Sequence, residues 1–266
     1  MLRSMYSGIA GMRNFQTKLD VIGNNIANVN TFGYKKGRTT FQDMVSQQIA
    51  GASAPGAGRG GVNPRQVGLG MQLASIDTIH TQGSLQNTNR ELDLGISGNG
   101  YFQVQDGGTT YYTRAGNFYL DQNGAIVNSN GLFLQGVNGN ITIPATAQSF
   151  SIGQDGVVRY ISGEGANEGE LVVADTIELA YFANPEGLTK EGTNLYQVSA
   201  NSGPAQTATP GNNGTGVLVA GTLEMSNVDL SEEFTEMIVA QRGFQANTRI
   251  ITTSDEILQE LVNLKR

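Results

Sequence analysis

The chain has no cysteine, no tryptophan and a single histidine. Without cysteine there is no disulfide framework, no thiolate metal site and no cysteine nucleophile. One histidine cannot build the common structural zinc sites, and a serine hydrolase triad would have to use His80, around which no apolar pocket pattern is visible. Long apolar runs are missing too. Nothing approaches the roughly 20 residues that span a bilayer, and the opening MLRSMYSGIAGMRNF lacks the continuous apolar centre of a secretory signal. Membrane insertion is therefore not expected, and export would need another route. Basic patches are scarce as well: the formal net charge is −7, and the largest cluster, Lys35, Lys36 and Arg38, reads as a solvated loop, which argues against nucleic acid as a partner.

Signatures of catalysis are equally thin. GLGMQL and GNGYFQ each stop at a Gly-x-Gly pair and lack the third glycine and following helix of a nucleotide-binding turn. Glu91 with Asp93, and Glu168 with Glu170, share a strand face at i and i+2, a spacing that solvated strands produce constantly. No catalytic residue, metal site or cofactor is expected.

The termini carry the strongest pattern. Met5, Ile9, Met12, Phe15, Leu19, Ile22, Ile26 and Val29 recur at spacings of three and four, which predicts an amphipathic helix ending near Asn28. At the other end, Asp229 and Glu232 have the spacing of a capping box. The stripe that follows includes Phe234, Met237, Phe244, Ile251, Ile257, Leu258 and Leu261, and predicts a second helix of about 35 residues. Residues 1–50 carry six basic and two acidic groups, whereas residues 224–266 carry four basic and eight acidic ones, so the two ends are electrostatically matched. A helix with so wide an apolar stripe is stable only against a mate. These stripe positions are accordingly the predicted polymer interface, with an ordinary helix pair inside one chain as the plainer alternative.

Between the termini the period changes to two. Leu92–Ser97, Tyr101–Gln105, Tyr111–Arg114, Thr176–Phe182, Leu195–Ser199 and Val217–Met225 read as strands. NFYLDQNGAIVN (117–128) and SFSIGQDGVVRY (149–160) align without gaps as two hairpins, with Asn123-Gly124 and Asp155-Gly156 expected at the positive-φ turn positions. Two stretches, 51–66 and 201–216, are rich in Gly, Ala, Pro and small polar residues and are expected to be mobile in the isolated subunit. The fold class is thus α+β: a coiled-coil-like stem of residues 1–30 and 229–266, a connector of 31–75 and 216–228, and a β-rich domain of 76–215.

The first helix runs into DVIGNNIANVNTFGYKK, in which Asp20, Asn24, Asn25, Ala27, Asn28, Thr31, Gly33, Tyr34 and Lys35 resemble the signature of flagellar rod and hook proteins. The resemblance continues through HTQGSLQNTN, LDLGISGNGYFQV, YTRAGNFYLDQNG, FANPEGLTKEGTNLYQ and the segment from Gly221 to Leu264. It implies a structural subunit that polymerises with itself into a hollow helical tube, with paired terminal helices on the inner wall and the β-domain outside. It also implies neighbours in the adjacent rod, the hook-filament junction and the hook cap, and export through the flagellar type III apparatus. The C-terminal stretch is most similar to short hook subunits, so a hook subunit is the first expectation and a distal-rod subunit the second. An extracellular carbohydrate-binding β-protein is a third.

Overall fold

A computed structural model describes residues 2–56, 58, 60–163 and 169–264. Glu168 of the second carboxylate pair lies outside them. The chain divides into two units: one of Met1–Ala27, Gly37–Thr78 and Asp229–Arg266, the other of Asn28–Lys36 and Ile79–Val228.

The first unit is built on two long helices, α1 (Leu2–Ala27) and α2 (Leu230–Asn263). Asp229 caps α2, accepting hydrogen bonds from the backbone N–H groups of Ser231 and Glu232. Gly8 approaches Ile251, Phe15 approaches Gly243, and Lys18 forms an ion pair with Glu236, so the helices run antiparallel. The expected connector between 31 and 75 is partly sheet. Gly37–Asp43 pairs antiparallel with Met71–Thr78, and Phe41 of this pair packs at a tilt against Phe15 of α1 with ring centroids 6.3 Å apart. Even the Gly/Pro-rich stretch is framed by structure, because Gln47–Ala50 pairs with Arg65–Val67 and Ser53 bridges Val62. Alternation fails there since both short strands are exposed along their whole length, leaving no buried face to impose a period.

The second unit is antiparallel β. Its main sheet carries Tyr101–Asp106 between Thr109–Thr113 and Phe133–Gly136, and a three-stranded sheet joins Ser149–Ile152, Val157–Ile161 and Leu171–Thr176. Period-2 alternation on Tyr101–Asp106 sends Phe102 and Val104 into a large core with Leu94, Ile96, Phe118 and Leu218, while Tyr101 enters a smaller cluster with Tyr112, Phe182 and Tyr196. The expected strand over 217–225 is two strands, Val217–Ala220 and Thr222–Glu224, which pair with Leu94–Ser97 and Leu85–Asn87 respectively. Within 201–216, Gln206–Ala208 pairs with Leu179–Tyr181, and the Thr215 hydroxyl donates to the carbonyls of Thr209 and Asn212. Small polar side chains here close the backbone on itself, which composition alone did not reveal.

Both aligned hairpins form, with one change at each turn. Only Gly124 (φ +78°) and Gly156 (φ +77°) take positive φ; Asn123 and Asp155 do not. The Gly124 N–H donates to the Asp121 carbonyl and the Gly156 N–H to the Gly153 carbonyl, so each loop is a turn followed by a left-handed glycine instead of a two-residue turn with two left-handed residues.

Candidate assembly interface

Eight α2 positions, Glu233, Met237, Ala240, Phe244, Asn247, Ile251, Ser254 and Leu258, alternate in steps of four and three and are all buried or half-buried. That is a heptad-like seam, and α1 lies along it. Close approach is set by small residues: a Cβ on Gly11 would meet the Asn247 side chain at 2.8 Å, and one on Gly243 would meet the Phe15 ring at 2.6 Å. Of the predicted α1 positions, Ile22 is buried, while Met5, Ile9, Met12, Phe15, Leu19 and Ile26 are half-buried. Val29 is half-buried beyond the end of α1, in the second unit. The α1 stripe is therefore largely covered within the unit, by α2 on one side and by the strands Gly37–Asp43 and Met71–Thr78 on the other.

Apolar residues of α2 other than these eight remain uncovered. Phe234, Ile257 and Leu261 retain 50%, 48% and 48% of their accessible surface, and Leu230, Ile238, Val239, Ile250 and Val262 are exposed with them. Isolated exposed leucines are ordinary on a protein surface, but eight large apolar side chains on one helix leave much more apolar surface open than that. The predicted interface positions thus separate into those in an intrachain seam and those left uncovered on α2.

Most of the Asn-rich motif does something else. Asp20, Asn24 and Ala27 are exposed, whereas Asn25 is buried and ties the first unit together. Its side-chain amide accepts from the Gly37 N–H at 2.9 Å and donates to the Gly37 carbonyl at 2.9 Å and to Glu233 Oε2 at 3.1 Å, joining α1, the first strand and α2. Neither Glu233 nor Asn247 was singled out from sequence, because a polar residue on a helix stripe looks solvated until its partner is known.

The rest of the motif lies in the second unit. Thr31 bonds back to Asn28, and Gly33 (φ +70°) sits where a Cβ would come within 2.5 Å of the Ala115 backbone, so only glycine fits. Tyr34 and Lys35 are buried. Lys35 Nζ lies 2.6 Å from Glu224 Oε1 and donates to the Thr81 carbonyl at 2.8 Å; Arg114 Nη1 reaches the other carboxylate oxygen at 3.1 Å, and the Gly83 N–H also donates to Oε1. Four separate stretches that carried the resemblance, around Gly33, Gly83, Arg114 and Glu224, converge on this one buried cluster. Burial pulls the Lys35 ammonium below its usual range, opposed by Glu224. Of the carboxylate pair Glu91 and Asp93, Asp93 accepts from Thr88 and Arg90 while Glu91 is exposed.

His80 makes the stability depend on pH. Its Nδ1 lies 2.7 Å from the Tyr101 hydroxyl, and burial, reinforced by Lys35, Lys190 and Arg114, lowers its pKa to about 4. Because the folded value lies below the ordinary 6.5, the unfolded chain takes up the proton first, and stability present above about pH 6.5 is lost as the pH falls toward 4. The full effect is up to about 3 kcal/mol. Urea unfolding at pH 7 and pH 4.5 should show the midpoint of the second unit dropping, with a smaller drop in His80→Gln.

Comparison with known proteins finds matches at both ends and in the middle of the chain. The family profile described as "Flagella basal body rod protein" matches residues 5–35, "Flagellar hook protein FlgE/F/G D1 domain" matches 95–160, and "Flagellar basal body rod FlgEFG protein C-terminal" matches 219–264. The flagellar basal-body rod protein FlgG of Bacillus subtilis is 61% identical over 268 positions that cover all of both chains. FlgG of Borreliella burgdorferi is 38% identical over 271 positions, again covering both chains completely. The flagellar hook protein FlgE of the same bacterium is 33% identical, with both chains covered over 441 positions.

Proposed function

The chain belongs to the family of flagellar hook and basal-body rod proteins, and from that premise we propose that it is a subunit of the distal rod, not of the hook. Proteins of this family are structural parts of the flagellum, which assemble with copies of themselves and with neighbouring flagellar components. The observation that carries the rod reading is length together with identity. Rod relatives align over 268 and 271 positions with this chain of 266, whereas the hook relative needs 441, so it contains long segments that have no counterpart here. The resemblance of the C-terminal stretch to short hook subunits gives way to this whole-chain match.

In the proposed role the exposed apolar side chains of α2 pack on neighbouring copies, burying in the polymer the apolar surface that one chain leaves open. The intrachain seam makes the stem a preformed building block. The subunit bears load and catalyses no reaction, and it reaches its place through the flagellar type III apparatus, with adjacent rod and hook proteins as its neighbours. Electron cryotomography of cells lacking this gene alone should show a shortened rod with no hook. A complete rod lacking only its hook would move the chain to the hook, and intact flagella would overturn both assignments.

A further inference from the structure

Separate stretches of the second unit meet around a cleft of about 200 Å³, whose polar lining includes Asn30, Asn117, Asn128, Ser129, Thr193 and Asn194. No residue that lines it among those described carries a charge, although the chain as a whole stands at −7. Asn30 and Thr193 are exposed and Asn117 and Ser129 half-buried, and none of these four side chains hydrogen-bonds to another described residue. Their amide and hydroxyl groups are therefore within reach of a ligand.

Thr193 is the unexpected member. With Asn194 it forms the two-residue turn between Thr189–Gly192 and Leu195–Gln197, at φ of +49° and +60°. Such a turn suits Asn-Gly, and a β-branched residue in left-handed backbone is an outlier. Asn194 is held there by its contacts, since its side-chain amide donates to the Phe32 carbonyl at 3.1 Å and its own carbonyl accepts from the Thr113 hydroxyl at 2.8 Å. Thr193 has no such contact to explain it.

An aromatic row adjoins the cleft. Val127 stands opposite both Tyr119 and Phe133, and Phe133 stands opposite Gln105, so these four side chains share one face of the main sheet. The other face is the core, where Ile126, Leu134 and Val104 are buried. Tyr119 and Phe133 are exposed, two strands and so roughly 10 Å apart. Arg90, paired with Asp93, lies over one side of the Tyr119 ring at 4.6 Å. Asn117 precedes Tyr119 by two positions and Asn128 follows Val127, which brings the row up to the cleft.

We infer that cleft and row together bind an uncharged glycan. Amides and hydroxyls match sugar hydroxyls, and flat rings stack on the apolar faces of sugars. In an extended β-1,4-linked chain alternate sugars present the same face, which suits rings set two strands apart. Anionic and cationic polymers find no counter-charge in the cleft. Its volume lies below the roughly 300 Å³ at which enclosed ligand pockets begin, so it seats one sugar while the row carries the next. This inference is independent of the rod assignment, which tomography tests separately.

The test is calorimetry of the full-length monomer at pH 7 with the uncharged tetramer of N-acetylglucosamine, paired with ¹⁵N spectra of the side-chain amides. The expected result is saturable binding at one site per chain, with the Asn30 and Asn117 amide signals shifting together. Phe133→Ala should weaken binding roughly tenfold. Thr193→Gly should keep or raise the unfolding midpoint, because glycine takes positive φ freely, and still weaken binding severalfold. A threonine that served the turn alone would leave binding unchanged in that variant. Should Phe133→Ala fail to fold, Thr193→Gly and the amide shifts carry the test. No saturation at millimolar glycan, or saturation with both amide signals unmoved, overturns the proposal. So does a silent monomer whose amides shift on assembly without sugar, because a second copy then fills the cleft.

Discussion

A chain carrying Phe234→Asp and Leu261→Asp together is expected to fold as a monomer and to form no polymer. Both side chains lie on α2 at positions other than the eight covered ones and keep about half of their surface open, 50% and 48% respectively. Burying the remainder against a neighbour contributes roughly 1 kcal/mol each, and a carboxylate in its place must be desolvated at a further cost of several kcal/mol. Two such changes weaken each contact by about 5 kcal/mol or more, a factor of several thousand in critical concentration. The monomer itself should change by only about 0.5 kcal/mol per site, the usual range for surface substitutions. Sedimentation at concentrations where the unaltered chain assembles, paired with urea unfolding of the monomer, separates the two effects. Polymer at the ordinary critical concentration would sink the assignment of these positions. An aspartate at Ile22 makes the useful contrast: that residue is 4% exposed inside the first unit, so the change should unfold the stem before any contact between subunits is in question.

That contrast also marks what the sequence could and could not convey. The stripe of α1 was plain from its spacing, and the helix ends at Ala27, one residue before the expected Asn28. What covers the stripe was not, because a period reports that one face needs a mate and is silent on which surface supplies it. Antiparallel pairing with α2 and a strand pair formed by Gly37–Asp43 and Met71–Thr78 satisfy it locally. That strand pair was hidden in a segment read as connector: burial scarcely alternates along Gly37–Asp43, and along Met71–Thr78 it alternates between half-buried and exposed with no fully buried position. The buried ion cluster was hidden for a different reason. Lys35 looked like part of a solvated basic group, and its partner Glu224 is 189 residues away. Only the glycines nearby hinted at tight backbone contact, and glycine is too frequent in this chain for the hint to stand out.

The same cluster carries the largest expected loss of stability. In Glu224→Gln the carboxylate that neutralises Lys35 and Arg114 is gone, and both cations remain in a site where the lysine is 0% and the arginine 3% exposed. Removing one partner of a buried pair typically costs about 3–5 kcal/mol, and here one substitution orphans two partners, which is a large share of the roughly 5–15 kcal/mol that holds a domain together. Lys35→Met should do less harm, because Arg114 and the Gly83 N–H still satisfy the carboxylate and methionine fills most of the lysine's volume. The order of the two effects is the diagnostic: a cluster that served only as packing would show the reverse, with the isosteric glutamine tolerated best. Tyrosine fluorescence can read the result directly, since the chain has no tryptophan and, of its nine tyrosines, only Tyr6 lies outside the second unit. In the Glu224→Gln chain the lysine has also lost the charge that opposes its burial, so its pKa should fall further. The unfolded chain holds that proton to higher pH, and the variant should therefore recover part of its lost stability as the solution is made alkaline.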